Sequence, residues 1–273
     1  MKRLLTLLAA TAALAAAVFA GNAGAATTDL SSNWSGYSVS GAAFSNVSGS
    51  WVEPKATCTG STTSSAFWVG LGGDSDTSNA LEQIGTSTDC SATGKASYTA
   101  WYELVPAASV PLRLTIAPGD KIWASVGVDG TKVTLTVENL TRQTSFTKTL
   151  SMTAPDVSSA EWIAEAPSTC DNAGRCRTVP LTDFHKITFT KALATAGGHT
   201  GTISDPAWTA DAIQLDSADD YGPFATMSTA AEADPTALSR GGSEFSVSYS
   251  GLSQPSQTDP YGGPGFGVPG FDL

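Results

Sequence analysis

The chain has 273 residues, with 25 acidic against 14 basic side chains and a net charge of −11 at neutral pH. So acidic a surface repels nucleic acid and anionic membranes, and we expect neither as a partner. The length suits one large β domain, or less readily two small ones.

The first 26 residues have the order of features found in a secretion signal. Lys2 and Arg3 give a positive start, an apolar run follows over residues 4–20, and small residues occupy positions 21–26. A single membrane anchor is the alternative, but the run is marginal for spanning a bilayer. The sequence therefore predicts a signal peptide over residues 1–25 and a secreted, extracellular protein.

Short runs that alternate with period two dominate the rest of the chain. They cover residues 121–126, 131–137, 186–190 and 246–249, and Gly, Pro, Asp and Asn separate them. This spacing predicts an antiparallel β-sandwich or barrel, with a hairpin turn at Asp129-Gly130. A helix-like or irregular stretch is suggested only near residues 229–238. We expect one β domain over residues 26–252.

The last 21 residues differ in composition from the domain. Residues 253–273 are dense in Pro and Gly, with isolated aromatic residues between them. Such a sequence does not pair into the interior of a sheet. We therefore expect residues 253–273 to form a flexible tail.

Four cysteines in an exported chain favour disulfides: Cys58, Cys90, Cys170 and Cys176. Three pairings are possible. Cys170 and Cys176 bracket a short loop, which favours a bond between these two cysteines. Cys58 is then left to pair with Cys90. A metal site is the alternative, but Cys-x2-Cys spacing is absent and the chain has only two histidines.

The common hydrolase sites find little support in this sequence. A Ser–His–Asp triad needs a histidine base, and His185 and His199 lie in positions typical of loops or surfaces. No Gly-x-Ser-x-Gly, Asp-Thr-Gly or Asp-Ser-Gly motif occurs. Chemistry based on carboxyl groups is what remains.

Three segments place carboxylates beside aromatic or aliphatic residues: residues 67–74 with 81–86, residues 98–106 and residues 159–167. Glu161 and Glu165 share one face of a predicted strand, and Trp101 and Glu103 share a face of another. Burial of such carboxylates is costly without hydrogen bonds, and a ligand groove is one reason to keep them there. The alternative is that they lie on the solvated face of a half-buried sheet.

Six motifs, in order, resemble the eqolisin glutamic peptidases. They are Asn33-Trp34-Ser35-Gly36-Tyr37, Trp68-Val69-Gly70-Leu71-Gly72-Gly73-Asp74, Leu81-Glu82-Gln83-Ile84-Gly85, Ala100-Trp101-Tyr102-Glu103, Glu138-Asn139-Leu140-Thr141 and Ala160-Glu161-Trp162-Ile163-Ala164-Glu165. The resemblance covers about residues 31–251. It implies an all-β antiparallel sandwich of two large sheets with a concave substrate groove. It further implies a monomeric acid endopeptidase that acts on proteins or peptides, without metal or cofactor.

The resemblance also assigns roles to individual residues. Gln83 and Glu165 match the catalytic pair, whereas Glu161 does not carry over as catalytic. Trp34, Trp68 and Glu103 match positions that line the groove and contact substrate. Two positions depart from the fungal type, which has Asp at Gly72 and Tyr at Val105. The acidic partner that the fungal type has where Gly72 stands is therefore either missing from this chain or supplied by Asp74 or Asp76.

A mechanism follows from these side chains. Glu165 as a carboxylate can take a proton from the attacking water, and the neutral amide of Gln83 can stabilise the oxyanion. An unperturbed glutamate has a pKa of about 4.3, which favours activity in acid. The alternatives are a carbohydrate-binding, lectin-like module and a glycoside hydrolase. Glu161 and Glu165 cannot be a retaining pair, because four strand residues span about 13 Å.

Overall fold

The computed structural model describes residues 28–75, 78–170, 176–216 and 231–252. The predicted signal peptide, residues 1–25, and the predicted tail, residues 253–273, lie outside the described residues. Both stay predictions. Among the described residues, no helix has the length and apolar character needed to cross a bilayer.

The described chain consists almost entirely of strands, as the alternating runs predict. Within the ranges given above, the single helical element is a 3-10 turn at Arg240–Gly242. The strands are β1 (Thr28–Ser31), β2 (Trp34–Ser40), β3 (Phe44–Val52), β4 (Thr63–Leu71), β5 (Leu81–Cys90), β6 (Ala96–Val105), β7 (Val110–Pro111), β8 (Lys121–Asp129), β9 (Lys132–Asn139), β10 (Thr144–Ser151), β11 (Ser159–Glu165), β12 (Ser168–Cys170), β13 (Cys176–Thr178), β14 (Lys186–Ala196), β15 (His199–Thr202), β16 (Thr209–Leu215), β17 (Ala231–Pro235) and β18 (Phe245–Leu252).

The strands form two layers that share β14. One layer has the order β10-β9-β8-β3, and the other has the order β18-β17-β16-β2-β11-β4-β5-β6-β7. Residues 186–189 of β14 pair with β18, whereas residues 190–196 pair with β3. The register shifts between Thr190 and Leu193, where Lys191 has φ of 53°. Such a bulge lets a strand bend from one layer into the other. The prediction of an antiparallel β-sandwich is confirmed, with β1 and β16 as a parallel pair.

The main core lies between the layers. Alternate residues of β3, β8 and β9 face alternate residues of β4, β5 and β11, because side chains change face at each strand residue. Trp51, Phe67, Ile122 and Trp162 are almost completely buried there. The Trp162 indole Nε1 also donates a hydrogen bond of 2.8 Å to the Ser48 carbonyl of the other layer. Packing and this bond hold β11 firmly over β3.

The predicted strands agree with this architecture. The four alternating runs lie in β8, β9, β14 and β18, and Asp129-Gly130 joins β8 to β9 as a hairpin. The stretch suggested as helix-like or irregular, residues 229–238, instead contains β17. Pairing of β17 with β18 and β16 supplies its backbone with partners that the local sequence does not reveal.

One predicted disulfide is confirmed. Cys58 and Cys90 are bonded, with their Cα atoms 5.4 Å apart. Across the β12–β13 pair, Cys170 and Cys176 have directly opposed backbones. Their side chains lie outside the described residues, so that bond stays a prediction.

Candidate active site

Five neighbouring strands carry the predicted site residues. In spatial order they are β2, β11, β4, β5 and β6, and each contributes one residue: Trp34, Glu165, Trp68, Gln83 and Glu103. The alternate residues of these strands join the main core, so the five named side chains point to the opposite face. We call this outer face of the five strands the site face. The structure therefore brings all five predicted residues to one surface.

Tryptophans form the floor of the site face. Trp68 is fully buried, and its ring centroid lies 5.1 Å from that of Trp34 in an edge-to-face contact. Trp101, Ile163 and Ile213 complete an apolar cluster that is separate from the main core. Because these side chains exclude water, polar groups among them lie in a medium of low dielectric constant.

Glu165 projects into this apolar cluster from the end of β11 and is half-buried. Its Oε2 accepts a 2.7 Å hydrogen bond from the Trp68 indole, and its Oε1 accepts one of 3.2 Å from Asn33. Burial of the carboxyl raises the pKa of Glu165 to about 7, the nearby Glu103 carboxylate raises it too, and the two hydrogen bonds lower it. Glu165 can therefore both accept and donate a proton near neutrality.

Gln83 lies almost completely buried on β5, directly opposite Glu103 of β6. Its Nε2 donates a 2.8 Å hydrogen bond to Glu103 Oε2. Its Oε1 is buried and has no hydrogen-bond partner among the described residues. A buried carbonyl oxygen left without a partner is rare, because burial removes it from water. Gln83 therefore has a carbonyl acceptor that no described residue satisfies.

The two proposed catalytic residues flank β4 without a direct hydrogen bond between them. Glu165 is opposite Ala66 of that strand, and Gln83 is opposite Gly70. Glu103 interacts with both residues. It accepts a hydrogen bond from the amide of Gln83, and its negative charge raises the pKa of Glu165. Their joint action stays a prediction at this point.

Glu161 differs from Glu165 in environment although both lie on the same face of β11. Glu161 has no solvent exposure, and neither carboxyl oxygen has a hydrogen-bond partner among the described residues. Burial, together with the carboxyl groups of Asp74, Asp156 and Glu82, raises the pKa of Glu161 well above the usual value. Burial therefore favours the protonated form of Glu161.

The space beside Gly72, where the fungal type has an aspartate, is taken by Asp156. A Cβ at position 72 would overlap the Asp156 side chain. Asp156 accepts hydrogen bonds from the Ser78 hydroxyl and the Ser158 backbone. Of the two expected replacements, Asp74 instead binds the Ser38 hydroxyl at 2.7 Å, and position 76 lies outside the described residues. Motif reading missed Asp156 because it lies 84 positions away in a loop.

A cavity of about 780 Å³ adjoins this region. It is lined by Ser75, by residues 78–80, by residues 105–106 at the end of β6, and by residues 152–156 and Ser158. Val105 lines this cavity and also contacts the tryptophan cluster of the site face. The position where the fungal type has Tyr thus lies between the site face and the cavity.

Comparison with known proteins agrees with this geometry. Residues 32–237 match the model of the Peptidase A4 family. The chain is 32% identical to Aspergillopepsin-2 of Aspergillus niger over 207 residues. This alignment covers 67% of the present chain and 71% of Aspergillopepsin-2.

Solved structures give the same result. The chain resembles scytalidoglutamic peptidase, solved with a peptide-based transition-state analogue, at 28% identity and a TM-score of 0.65. That match covers 80% of this chain and 98% of the other. Aspergilloglutamic peptidase from Aspergillus niger matches at 30% identity and a TM-score of 0.51, over 68% of this chain and 99% of the other. The chain therefore belongs to the Peptidase A4 family, the eqolisins, and is a glutamic endopeptidase.

Proposed function

We propose that this peptidase is secreted, acts in acidic media, and cleaves proteins or peptides with Glu165 and Gln83 as its catalytic pair. One observation carries the assignment of the pair. The half-buried carboxyl of Glu165 and the unpartnered carbonyl of Gln83 lie on one apolar face, on the two strands that flank β4. Such groups are costly to bury unless a substrate or water uses them.

The first chemical step is attack of water on the scissile carbonyl carbon. The Glu165 carboxylate takes a proton from this water as the new C–O bond forms. Oε1 of Gln83 accepts a hydrogen bond from the same water and orients it. The N–H of Gln83 that Glu103 does not use donates to the carbonyl oxygen, where negative charge develops.

The second step breaks the C–N bond. Glu165, now protonated, donates the proton to the leaving nitrogen, and the oxyanion collapses to a carboxyl group. One residue can fill both roles because its pKa of about 7 makes the carboxylate a stronger base than a free glutamate. Trp34, which is partly exposed, provides apolar surface for the substrate chain, and the fully buried Trp68 supports Trp34 from beneath.

The buried site shifts the expected pH range. The sequence alone placed the ionisation of Glu165 at about 4.3, the value of a free glutamate. Burial raises the pKa of Glu165 to about 7, so the carboxylate fraction falls in acid. In a plot of kcat/KM against pH, we expect the rise on the acid side, here called the acid limb, to follow the ionisation of Glu165. Activity is therefore expected in mild acid, where part of Glu165 is ionised and the protons held by the buried carboxyl groups still stabilise the fold.

Secretion is supported by the sequence of residues 1–26 and by the Cys58–Cys90 disulfide, since such bonds persist in oxidising compartments. Expression of the full chain in a host with a Sec pathway, followed by mass analysis of the medium, tests this. We expect an exported product that begins near residue 26. Retention of the whole chain in the cell would contradict secretion.

The catalytic proposal is tested by digestion of a denatured protein from pH 2 to 7, with the products identified by mass. We expect internal cleavage by the wild-type protein and by Glu138→Gln, a control on β9 in the other layer. Glu165→Gln and Gln83→Glu should remain folded and give no cleavage. Full activity of either variant would exclude that residue from the pair, although the family assignment would stand.

A further inference from the structure

The orientation of the Gln83 amide matters to the proposed reaction. A carboxamide has nearly the same shape with its oxygen and nitrogen exchanged, yet one end accepts hydrogen bonds and the other donates them. Water activation and oxyanion binding require each end in its own place. Something on the protein must therefore select between the two orientations.

Glu103 lies where it can select one orientation of the Gln83 amide. It faces Gln83 across the β5–β6 pair, and its Oε2 accepts a 2.8 Å hydrogen bond from Gln83 Nε2. While Glu103 is ionised it only accepts, so it rejects the carbonyl end of the amide, and the hydrogen bonds from Gln83 and Ser109 favour this ionised form against burial. The backbone N–H of Ser109 also donates to Glu103 and fixes it from the loop that follows β6.

We propose that Glu103 is a positioning residue that holds the Gln83 amide with its carbonyl oxygen turned towards the reacting water. This role rests on the proposed function of Gln83. It differs from a substrate contact, because Glu103 acts through Gln83 and leaves Gln83 Oε1 without a protein partner.

Glu103 has a second, electrostatic effect on the same site. Its charge raises the pKa of Glu165, after burial, which is the larger cause. Burial also raises the pKa of Glu103, against hydrogen bonds from Gln83 and Ser109 that lower it. Since two like charges oppose each other, the pair titrates jointly. The other groups that act on Glu165 are the neutral hydrogen-bond donors Asn33, Trp34 and Trp68. Substitution of Glu103 therefore tests the effect of charge on the pKa of Glu165.

Two variants separate orientation from charge. Glu103→Gln nearly keeps the shape but removes the charge and the preference for the N–H₂ end. Glu103→Leu removes every hydrogen bond. With a short peptide substrate, we expect Glu103→Leu to lower kcat by about 10- to 100-fold, which is less than the roughly 100- to 1,000-fold loss when an oxyanion donor is removed, and to change KM by less than about threefold. Glu103→Gln should lose less kcat, and both should move the acid limb of kcat/KM to lower pH. Glu138→Gln is the matched control.

Thermal unfolding of each variant shows whether it folds, and Glu103→Gln is the fallback if Glu103→Leu does not. A raised KM with unchanged kcat would make Glu103 a substrate contact and overturn the proposal. An acid limb that does not move would also overturn it. Gln83→Leu separates this inference from the proposed function. If Gln83→Leu keeps wild-type kcat, the catalytic pair fails. If Gln83→Leu is inactive and the Glu103 variants resemble the wild type, only the positioning role fails.

Discussion

The indole Nε1 of Trp68 donates a 2.7 Å hydrogen bond to Oε2 of Glu165. The donor comes from β4 and the acceptor from β11, and these strands are neighbours in the sheet. A hydrogen bond to a carboxylate stabilises its ionised form and so lowers its pKa. Trp68 thus has two roles. Its ring packs in the apolar cluster beneath the site, and its N–H limits how far burial raises the pKa of Glu165.

Trp68→Phe should raise the pKa of Glu165 further, because the ring remains apolar but the donor is lost. A hydrogen bond to a charged group contributes about 1.5 kcal/mol or more, which corresponds to about one pH unit. The acid limb of kcat/KM, measured with a short peptide, should therefore move to higher pH by about one unit. An unchanged limb would show that Glu165 is not the titrating group.

Glu161→Gln and Glu165→Gln should have opposite outcomes although both change one glutamate of β11. Glu161 is fully buried and its raised pKa favours the protonated form, so a neutral amide of the same shape should leave kcat/KM within about threefold of the wild type. Glu165→Gln removes the proton acceptor and should abolish cleavage. Loss of activity in Glu161→Gln with activity kept in Glu165→Gln would reverse the assignment.

The free energy of unfolding should fall as the pH rises above about 5. Burial raises the pKa of Glu53 to about 7 and of Glu82 to about 8, and that of Glu161 well above the usual value. Unfolded, these groups titrate at about 4.3. Between the two values the native state holds protons that the unfolded state has lost, so stability decreases with pH. This contribution is complete below about pH 4.3.

Other carboxyl groups act in the opposite direction in strong acid. Burial alone would raise the pKa of Asp120, but hydrogen bonds from Arg142 and Asn139 lower it. That contribution is lost as the pH falls through the lowered value. Urea unfolding from pH 2 to 9 should show maximum stability in mild acid. Glu161→Gln should flatten the decline above about pH 5, and an undiminished decline in that variant would exclude Glu161 as a cause.

Gly70→Ala should disturb the site more than its size suggests. A Cβ at this position would lie 2.8 Å from Cζ3 of the buried Trp68 ring and 3.1 Å from Leu81. Displacement of the ring costs about 1–3 kcal/mol of stability and weakens its hydrogen bond to Glu165. We expect a lower melting temperature together with an acid limb at higher pH. A shift in stability alone would show that the ring moves without loss of the bond. Gly127→Ala, which meets only Asn46 closely, is the control.

The second disulfide can be tested by mass mapping without reduction. The opposed backbones of Cys170 and Cys176 predict a bond that closes a small loop soon after Glu165. Because short loops gain little entropy from closure, its loss should lower activity more than global stability. Free thiols at both positions would contradict the prediction.

Much of the fold could be predicted because it follows from local pattern. Period-two alternation placed β8, β9, β14 and β18, since a sheet with one buried face needs that spacing. It could not reveal that β14 pairs with both layers, because the bulge at Lys191 depends on partners far away in sequence. The same limit explains β17, whose strand conformation comes from its neighbours.

The site divides in the same way. The family motifs brought Gln83, Glu165, Trp68, Trp34 and Glu103 to one face, since each motif occupies its own strand. Motifs do not record hydrogen bonds between strands, so the bond from Gln83 to Glu103 was not expected. Asp156 was missed for a related reason. It fills the space beside Gly72 from a loop, and no local pattern reports that contact.

The passage of β14 from one layer to the other has a consequence for the way the molecule comes apart. Each half of this strand completes the hydrogen-bond ladder of a different layer, so neither layer can separate without exposing the backbone of the other. The site face lies wholly in one layer, yet its support includes Trp162, whose indole is bound to the opposite layer. Opening of the far layer would therefore remove the support beneath β11 and Glu165. Hydrogen exchange should find the amides of β3 and β11 opening together, as one cooperative unit rather than two.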